Sequence, residues 1–304
     1  MSDTCSSVRE FNKKLLLIIN PVSGKKLILK HIPAIIRIFM DEGYLVTTMI
    51  TSASGDASEF AFRYAAQYDL VCCTGGDGTL NETLNGLVRG NIHVPLSYIP
   101  CGSTNDFANS HNLSVDILEA ARAAAKGSIV DYDIGKFGDH YFTYVAAFGA
   151  FSWLSYTTDQ NMKNLLGHTA YILDGIKDLS KIKSIHLKMC CDGIYHEGDY
   201  IFGAVSNSTS IAGTITLPLQ SVDTCDGIFE VMLIKMPKSL MELDAAIRGI
   251  LTMDYSSPMI DFFHAKDIFV ENPEGLEWSL DGECSGFYKS VQIRPVPGFL
   301  HLKA

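Results

Sequence analysis

Apolar positions in the first half of the chain follow two alternating patterns. Short continuous apolar runs predict buried strands, and segments with an apolar residue every three or four positions predict amphipathic helices. The predicted strands cover residues 14–20, 44–50, 70–73 and 95–99, and the predicted helices run from about Pro33 to Gly43, over 55–68 and over 79–88. Strands that alternate with helices at this spacing predict the α/β class, with a doubly wound parallel sheet.

The pattern changes near Asp131, after which apolar runs follow one another with few helical segments between them. Strands are predicted over 141–147, 185–191, 200–205, 228–235, 268–271 and 291–293, and helices over 164–179 and 240–251. We therefore predict an α/β domain over residues 1–133 and a second, β-rich domain over residues 134–304. In an alternative arrangement, the last strand returns to the first domain.

Composition and net charge argue against several classes of protein. Hydrophobic residues make up 47% of the 304 residues and charged residues 19%, which is typical of a globular protein. No apolar run approaches the length of a membrane span, so we expect a soluble intracellular protein. The formal net charge of −10 argues against nucleic-acid binding and against membrane docking through a general basic surface. The eight cysteines and nine histidines show no metal-binding spacing, which favours buried free thiols.

Three loops rich in glycine and small polar residues follow three of the predicted strands. They cover residues 20–24, 74–79 and 100–106. The carboxyl ends of parallel strands meet at one edge of a sheet, so these loops are expected to line one crevice. Glycines let the backbone approach a phosphate closely, and the N–H groups at a helix start attract negative charge. The three loops together predict a phosphate-binding site, although each alone is also typical of an ordinary turn.

Asp77 is the acidic residue within these loops that bears most directly on the chemistry. Its carboxylate would repel a phosphate unless a cation lay between them, so it is a candidate for holding Mg²⁺, directly or through water. The sequence contains neither Gly-x-x-x-x-Gly-Lys-Ser/Thr nor Gly-x-Gly-x-x-Gly, so the two common nucleotide-binding motifs are excluded.

Five segments in this order resemble the catalytic family of the diacylglycerol kinases. They are Asn20-Pro-Val-Ser-Gly24, Gly75-Gly-Asp-Gly-Thr-Leu-Asn-Glu82, Pro100-Cys-Gly-Ser-Thr-Asn-Asp106, Val222-Asp-Thr-Cys-Asp-Gly-Ile-Phe-Glu-Val231 and Leu280-Asp-Gly-Glu283. The resemblance extends nearly from end to end of the chain. Gly-Gly-Asp-Gly-Thr alone is shared with NAD kinases, and the joint occurrence of all five segments makes the resemblance specific.

The resemblance implies roles for individual residues. It assigns ATP binding to Asn20, Pro21, Val22, Ser23, Gly24, Thr51, Gly75, Gly76, Asp77, Gly78, Thr79, Leu80, Asn81, Glu82 and Ser103. It makes Asp281 the general base and Asp77 the residue that organises Mg²⁺. It also implies a structural magnesium site at Asp223, Asp226 and Ile228, and a charge network between the domains at Asp106, Asp133 and Lys163. From the residues alone, Asp226-Gly227 and Asp281-Gly282 are favoured as plain turns.

The expected activity is therefore transfer of the γ-phosphoryl group of ATP to a membrane-lipid hydroxyl, with diacylglycerol as the first choice of acceptor. Phosphatidylglycerol, a sphingoid base, a soluble NAD-kinase-like substrate, and nucleotide or lipid binding without turnover are the alternatives. A cytoplasmic protein in peripheral contact with a membrane is implied, with no nucleic-acid partner, and a homodimer is one option for its assembly. The basic stretch Lys177, Lys181, Lys183 and Lys188 is a candidate for membrane contact, although a solvated lysine face is favoured.

Overall fold

The structure is a computed structural model that describes residues 10–24, 28–149, 183–211, 215–217 and 222–304. These residues divide into two compact units. The first unit contains the described residues up to Tyr132 together with Phe299–Ala304, and the second contains those from Asp133 to Gly298. The last six residues thus belong to the first unit, as in the alternative arrangement. The assignment of ATP binding and lipid binding to separate domains stays a prediction.

The first unit is built on a parallel sheet with helices between its strands. Its elements are β1 (Lys13–Ile19), α1 (Ile28–Asp41), β2 (Tyr44–Ile50), α2 (Asp56–Tyr64), β3 (Leu70–Gly75), α3 (Asp77–Arg89), β4 (Leu96–Pro100), α4 (Asp106–Ser110) and α5 (Ile117–Lys126). A single 3₁₀ turn, Ala65–Gln67, follows α2. The strand order is β4-β3-β1-β2, and the end of β15 (Glu283–Lys303) pairs in parallel with β4 through Leu302 and Leu96. The predicted α/β class is confirmed.

The core of this unit follows from the alternation of side chains along β1. Leu15, Leu17 and Ile19 face one side of the sheet and pack with apolar residues of α1 and with the alanines of α5. Helix α5 begins where the Asp116 carboxylate accepts hydrogen bonds from the amides of Leu118 (3.0 Å) and Glu119 (2.9 Å). Its small side chains allow α5 to approach α1 closely.

Helix α1 begins earlier than predicted. Proline is favoured in the first turn of a helix, which placed the predicted start near Pro33. The structure starts the helix at Ile28 and leaves Pro33 inside it. Pro33 removes one backbone hydrogen bond, and the buried side chains Ile28, Ile35 and Phe39 compensate by anchoring the helix on both sides of it.

The second unit consists mainly of antiparallel strands. Its elements are β5 (Ile129–Phe137, from Asp133), β6 (His140–Phe142), β7 (Val145–Gly149), β8 (Ile185–Cys191), β9 (Ile194–Ser206), β10 (Ser210–Ile211), β11 (Ile215–Thr216), β12 (Phe229–Lys235), α6 (Leu240–Thr252), β13 (Ile260–Ala265), β14 (Ile268–Leu280) and β15 up to Gly298. Strands β7 and β8 each pair with both β9 and β14, at opposite ends of these long strands. Trp278 lies in the resulting core, with ring centroids 5.0 Å from Phe137 and 4.9 Å from Phe148.

Several strands of this unit differ from the predicted ones in length. The predicted strand 141–147 is split into β6 and β7, and the runs 268–271 and 291–293 are parts of the much longer β14 and β15. Buried and exposed residues alternate along most of β14, so only its first residues form a conspicuous apolar run. The predicted helix 164–179 lies outside the described residues. Among the described residues, no helix is long and apolar enough to span a membrane.

Candidate functional site

The strand order brings the predicted loops to one edge of the first unit's sheet. Strand β2 lies on one side of β1 and β3 on the other, so the chain reverses its direction across the sheet between β1 and β3. Ligands of open α/β sheets bind outside the carboxyl ends of the strands at such a point. The loops after β1, β2, β3 and β4 all start there.

Asn20 fastens the loop after β1 to the start of α3. Its backbone amide donates to the carbonyl of Thr74 (2.9 Å), and its side-chain Nδ2 donates to Thr79 Oγ1 (3.0 Å). Its Oδ1 accepts from the amide of Val22 (3.1 Å), which turns the chain toward Ser23. The predicted site residues Asn20 and Thr79 are therefore brought together. Thr51 is buried beside them, and its amide donates to the carbonyl of Ile19 (2.9 Å).

Three glycines let the loops after β1, β3 and β4 touch through their backbones. A Cβ atom on Gly102 would lie 2.7 Å from the Cα of Gly76, and one on Gly24 would overlap the carbonyl oxygen of Cys101. Gly24 also has a φ of +52°, which side chains disfavour. Ser23 Oγ would lie 3.6 Å from a Cβ on Gly76, so the Ser23 hydroxyl also lies at this contact between the loops. The contact leaves a backbone-lined surface at the start of α3.

The amino end of α3 lies at this surface. Gly76 precedes the helix and has no side chain that could cap it. The first amide groups of an α-helix have no partner within the helix, so this end is suited to an anion. The Asn105 side chain closes the neighbouring loop, with Oδ1 accepting from the Gly102 amide (2.8 Å) and Nδ2 donating to the Gly102 carbonyl (3.2 Å). Asn105 was named in the sequence only as part of a motif, and an asparagine side chain that bonds to nearby backbone groups is typical of turns.

Asp77 is the first residue of α3, and its carboxylate holds the start of α4. Its Oδ2 accepts from the amide of Asp106 (3.0 Å) and its Oδ1 from the amide of Phe107 (3.2 Å). Burial raises the pKa of Asp77 above its usual value, and these amides oppose that shift. Because each oxygen already accepts an amide, a cation could approach only along the remaining lone-pair directions. The role of Asp77 toward Mg²⁺ stays a prediction.

The remaining residues predicted for ATP binding occupy different environments. Leu80 is buried in the core, and Val22 and Ser103 are exposed, Val22 to 64%. The Glu82 carboxylate accepts from the hydroxyl of Ser54 (3.0 Å) and the amide of Gly55 (2.8 Å), and so ties α3 to the loop after β2. Leu80 and Glu82 therefore support the site, while the glycines and Ser23 line it.

Asp281 lies in the second unit, in the turn between β14 and β15. Asp281 and Gly282 have φ values of +50° and +84°, so the plain-turn interpretation of this pair describes the backbone. Asp281 is only 3% exposed. Its Oδ2 accepts from the amide (2.6 Å) and hydroxyl (2.8 Å) of Thr143, and its Oδ1 from the amides of Tyr144 (3.0 Å) and Val145 (3.1 Å). A substrate hydroxyl could reach it only if these donors gave way.

The predicted cation loop also lies in the second unit. Asp223 and Asp226 are exposed, and each uses one carboxylate oxygen to accept a nearby amide, that of Cys225 (3.0 Å) or Ile228 (2.9 Å). The Asp133 carboxylate accepts from the amides of Gly227 (2.6 Å) and Gly298 (2.7 Å) and holds the loop in place. Lys163, its predicted partner, lies outside the described residues, so the charge network stays a prediction.

A third acidic side chain, that of Glu230, lies near this loop. Glu230 is 2% exposed, its Oε2 has no hydrogen-bond partner, and burial followed by the charges of Asp226 and Asp223 raises its pKa to about 8. No group of three or more His, Cys, Asp or Glu side chains in the described part of the chain is arranged to hold a metal. A cation here would need backbone carbonyls and water as ligands besides the carboxylates, and the predicted magnesium site at Asp223, Asp226 and Ile228 stays a prediction.

Comparison with known proteins gives one consistent result. A profile of the diacylglycerol kinase catalytic domain matches residues 14–137. The chain is 31% identical over 277 residues to a diacylglycerol kinase of Bacillus subtilis strain 168, a match that covers 90% of this chain and 91% of the relative. It is 31% identical over 298 residues to a diacylglycerol kinase of Staphylococcus saprophyticus, covering 96% and 93%. A crystal structure of a Bacillus anthracis diacylglycerol kinase shares the fold, with a TM-score of 0.74, 24% identity and 96% coverage of both chains.

Proposed function

The chain belongs to the diacylglycerol kinase catalytic family, which makes it a kinase, and we propose that it transfers the γ-phosphoryl group of ATP to the hydroxyl of a membrane lipid. Diacylglycerol is the proposed acceptor, and phosphatidic acid the product. Proteins named diacylglycerol kinase that align over nine-tenths of the chain support this choice. They support it over an NAD-kinase-like activity, which shares only the Gly-Gly-Asp-Gly-Thr segment.

One observation carries the nucleotide part of the proposal. Gly24, Gly76 and Gly102 bring three loops into backbone contact at the uncapped amino end of α3. This is the arrangement that an α/β sheet uses to receive a phosphate chain. We accordingly propose the first unit as a doubly wound, ATP-binding domain. The amides of the loops and of α3, together with Ser23, would hold the phosphates.

Phosphoryl transfer depends mainly on positioning and on stabilising negative charge. When bound, Mg²⁺ would neutralise charge on the β and γ oxygens of the nucleotide. Asp77 would position the loop after β4 through the amides of Asp106 and Phe107. The lipid hydroxyl must lose its proton to a base. Asp281 is the proposed base. Glu283 is an exposed carboxylate on the same hairpin, so variants of Asp281 and Glu283 have to be compared to test this role.

We further propose that the lipid is met at a membrane surface by a cytoplasmic, peripherally bound protein. Lys177 and Lys181 of the basic stretch lie outside the described residues. Lys183 is exposed, and Lys188 forms an ion pair with Glu197 at 3.1 Å. This pair neutralises one lysine of the stretch, so the basic stretch alone supports membrane contact weakly.

The proposal is tested by supplying γ-labelled ATP, Mg²⁺ and one acceptor at a time in mixed micelles. The acceptors are diacylglycerol, phosphatidylglycerol, a sphingoid base and, without micelles, NAD. We expect the highest kcat/KM with diacylglycerol. A higher value with another lipid alcohol would change the acceptor, and labelled NADP as the main product would overturn the lipid-kinase assignment.

A further inference from the structure

Two carboxylates hold the exposed segment 52–54 in the loop after β2. One oxygen of Asp56, Oδ2, accepts from the amide (2.7 Å) and hydroxyl (2.8 Å) of Ser52 and from the amide of Ala53 (2.9 Å). These bonds, led by the one from the Ser52 amide, lower the pKa of Asp56, so its carboxylate is charged at neutral pH. From α3, the Glu82 carboxylate accepts from the Ser54 hydroxyl at 3.0 Å. The segment therefore has a fixed shape before any ligand arrives.

This segment lies next to the proposed phosphate site, within the first unit. The residue before it, Thr51, donates its amide to the carbonyl of Ile19, the last residue of β1. Glu82 belongs to α3, the helix whose amino end is proposed for the phosphates. A nucleotide that binds outside the carboxyl ends of these strands would therefore have the segment beside it.

The hydrogen bonds decide which part of a nucleotide the segment suits. A serine hydroxyl has one hydrogen to donate and two lone pairs that can accept. Ser52 and Ser54 each give that hydrogen to a carboxylate, so toward a ligand their oxygens can only accept. Phosphate oxygens are acceptors too, and the two carboxylates repel their negative charge. The amino group of a base and the hydroxyls of a ribose are donors, so the segment suits the nucleoside end of a nucleotide.

We propose that Asp56 is a positioning residue for ATP. It holds the segment 52–54 so that the hydroxyl oxygens of Ser52 and Ser54 accept hydrogen bonds from the donors of the nucleoside. A segment that is already ordered loses little conformational entropy when the ligand binds, which favours affinity. The inference rests on the ATP binding proposed above and deepens it, because it assigns side chains to the nucleoside, whereas the glycines and Ser23 serve the phosphates.

The experiment is calorimetric titration of the full chain, with Mg²⁺ present, by ATP, GTP, 2′-deoxy-ATP and inorganic tripolyphosphate. The variants are Asp56→Ala, the conservative Asp56→Asn, which keeps one acceptor oxygen, and the double variant Ser52→Ala with Ser54→Ala. The double variant keeps the amide bonds to Asp56, so it tests the inference even if Asp56→Ala does not fold. Asp254→Ala is the matched control, because Asp254 in the second unit likewise accepts from the amide (3.1 Å) and hydroxyl (2.6 Å) of one serine, Ser256.

We expect the affinity for ATP to fall roughly two- to tenfold for each serine hydroxyl removed, and at least as much in Asp56→Ala. Asp56→Asn should restore most of it, Asp254→Ala should match the wild type, and the affinity for tripolyphosphate should not change. A reduced preference for ATP over GTP in the double variant would place the base amino group at the serines, and a reduced preference for ATP over 2′-deoxy-ATP would place the ribose there.

Two results would overturn this inference alone. One is an unchanged affinity for ATP in Asp56→Ala and the double variant, and the other is an equal loss of affinity for ATP and tripolyphosphate, which a merely structural role of Asp56 would produce. A wild type that binds neither ATP nor tripolyphosphate would overturn the proposed ATP site together with the inference.

Discussion

Substituting Asp281 with asparagine changes one oxygen in a set of four hydrogen bonds. The carboxylate accepts from three backbone amides and one hydroxyl, all in the segment from Thr143 to Val145. Asparagine tolerates the φ of +50° at this position, so the turn itself is preserved. Its side-chain NH₂ takes the place of one of the two carboxylate oxygens. The NH₂ then faces groups that donate hydrogen bonds to that oxygen in the wild type.

The size of the effect follows from which donors lose their acceptor. If the NH₂ faces Thr143, the hydroxyl can rotate and accept, but the Thr143 amide cannot. One buried amide is left unsatisfied, which costs about 1–3 kcal/mol of unfolding free energy. Asp281→Ala removes all four acceptor contacts and adds strain at a positive φ, so we expect a loss of at least about 4 kcal/mol.

The assay is urea unfolding followed by the fluorescence of Trp278, which lies in the core of the second unit. A Trp153→Phe background leaves Trp278 as the single tryptophan. Glu283→Gln is the matched control, because it changes an exposed acid on the same hairpin and should alter the unfolding free energy by less than about 0.5 kcal/mol. An Asp281→Asn protein as stable as this control would refute the inference that the carboxylate holds the segment from Thr143 to Val145.

Three further predictions concern the first unit. Asp77→Ala and Asp116→Ala each remove a carboxylate that accepts hydrogen bonds from two amides at a helix start, so each should lower the free energy of unfolding by about 1 kcal/mol. Only Asp77→Ala should also abolish Mg²⁺-dependent turnover. Equal turnover in the two variants would contradict the proposed site. Gly24→Ala should strongly reduce the affinity for ATP, because the added methyl group pushes the loop after β4 away. Gly55 also has a positive φ but open space around it, so Gly55→Ala should leave the affinity unchanged. Calorimetric titration with ATP compares the two variants. Burial lowers the pKa of His111 from 6.5 to about 4, so the folded state binds fewer protons than the unfolded state between these pH values. The free energy of unfolding should therefore fall by on the order of 1–3 kcal/mol as the pH drops through this range. A His111→Gln protein that loses the same stability at low pH would exclude His111 as the cause.

The sequence predicted the elements of the first unit well because their signals are local. An uninterrupted apolar run such as Leu15–Ile19 identifies a buried strand by itself, and glycine-rich loops after such runs identify the ligand-binding edge of the sheet. Pro33 misled the prediction of α1, because burial on both sides of the proline outweighed its local preference. The length of β14 and β15 was missed because pairing between strands, rather than local composition, defines their ends.

The candidate site shows a similar division. That the three loops meet could be predicted because the carboxyl ends of parallel strands lie at one edge of a sheet, but the hydrogen-bond partners of the side chains could not. Asp281 and Asp77 were named for chemistry, and the structure engages both carboxylates with backbone amides far away in the sequence. Glu230 gave no signal in the sequence, because an acid within an apolar strand does not show whether its oxygens are satisfied.

The most direct test of the central claim is the stoichiometry of phosphoryl transfer. Purified protein is incubated with γ-labelled ATP, Mg²⁺ and diacylglycerol micelles, and ADP and labelled lipid are measured in the same sample. We predict one labelled phosphatidic acid for each ADP formed, with little ADP when diacylglycerol is omitted. ADP that accumulates without labelled lipid, at a rate independent of diacylglycerol, would contradict the assignment of this chain as a diacylglycerol kinase.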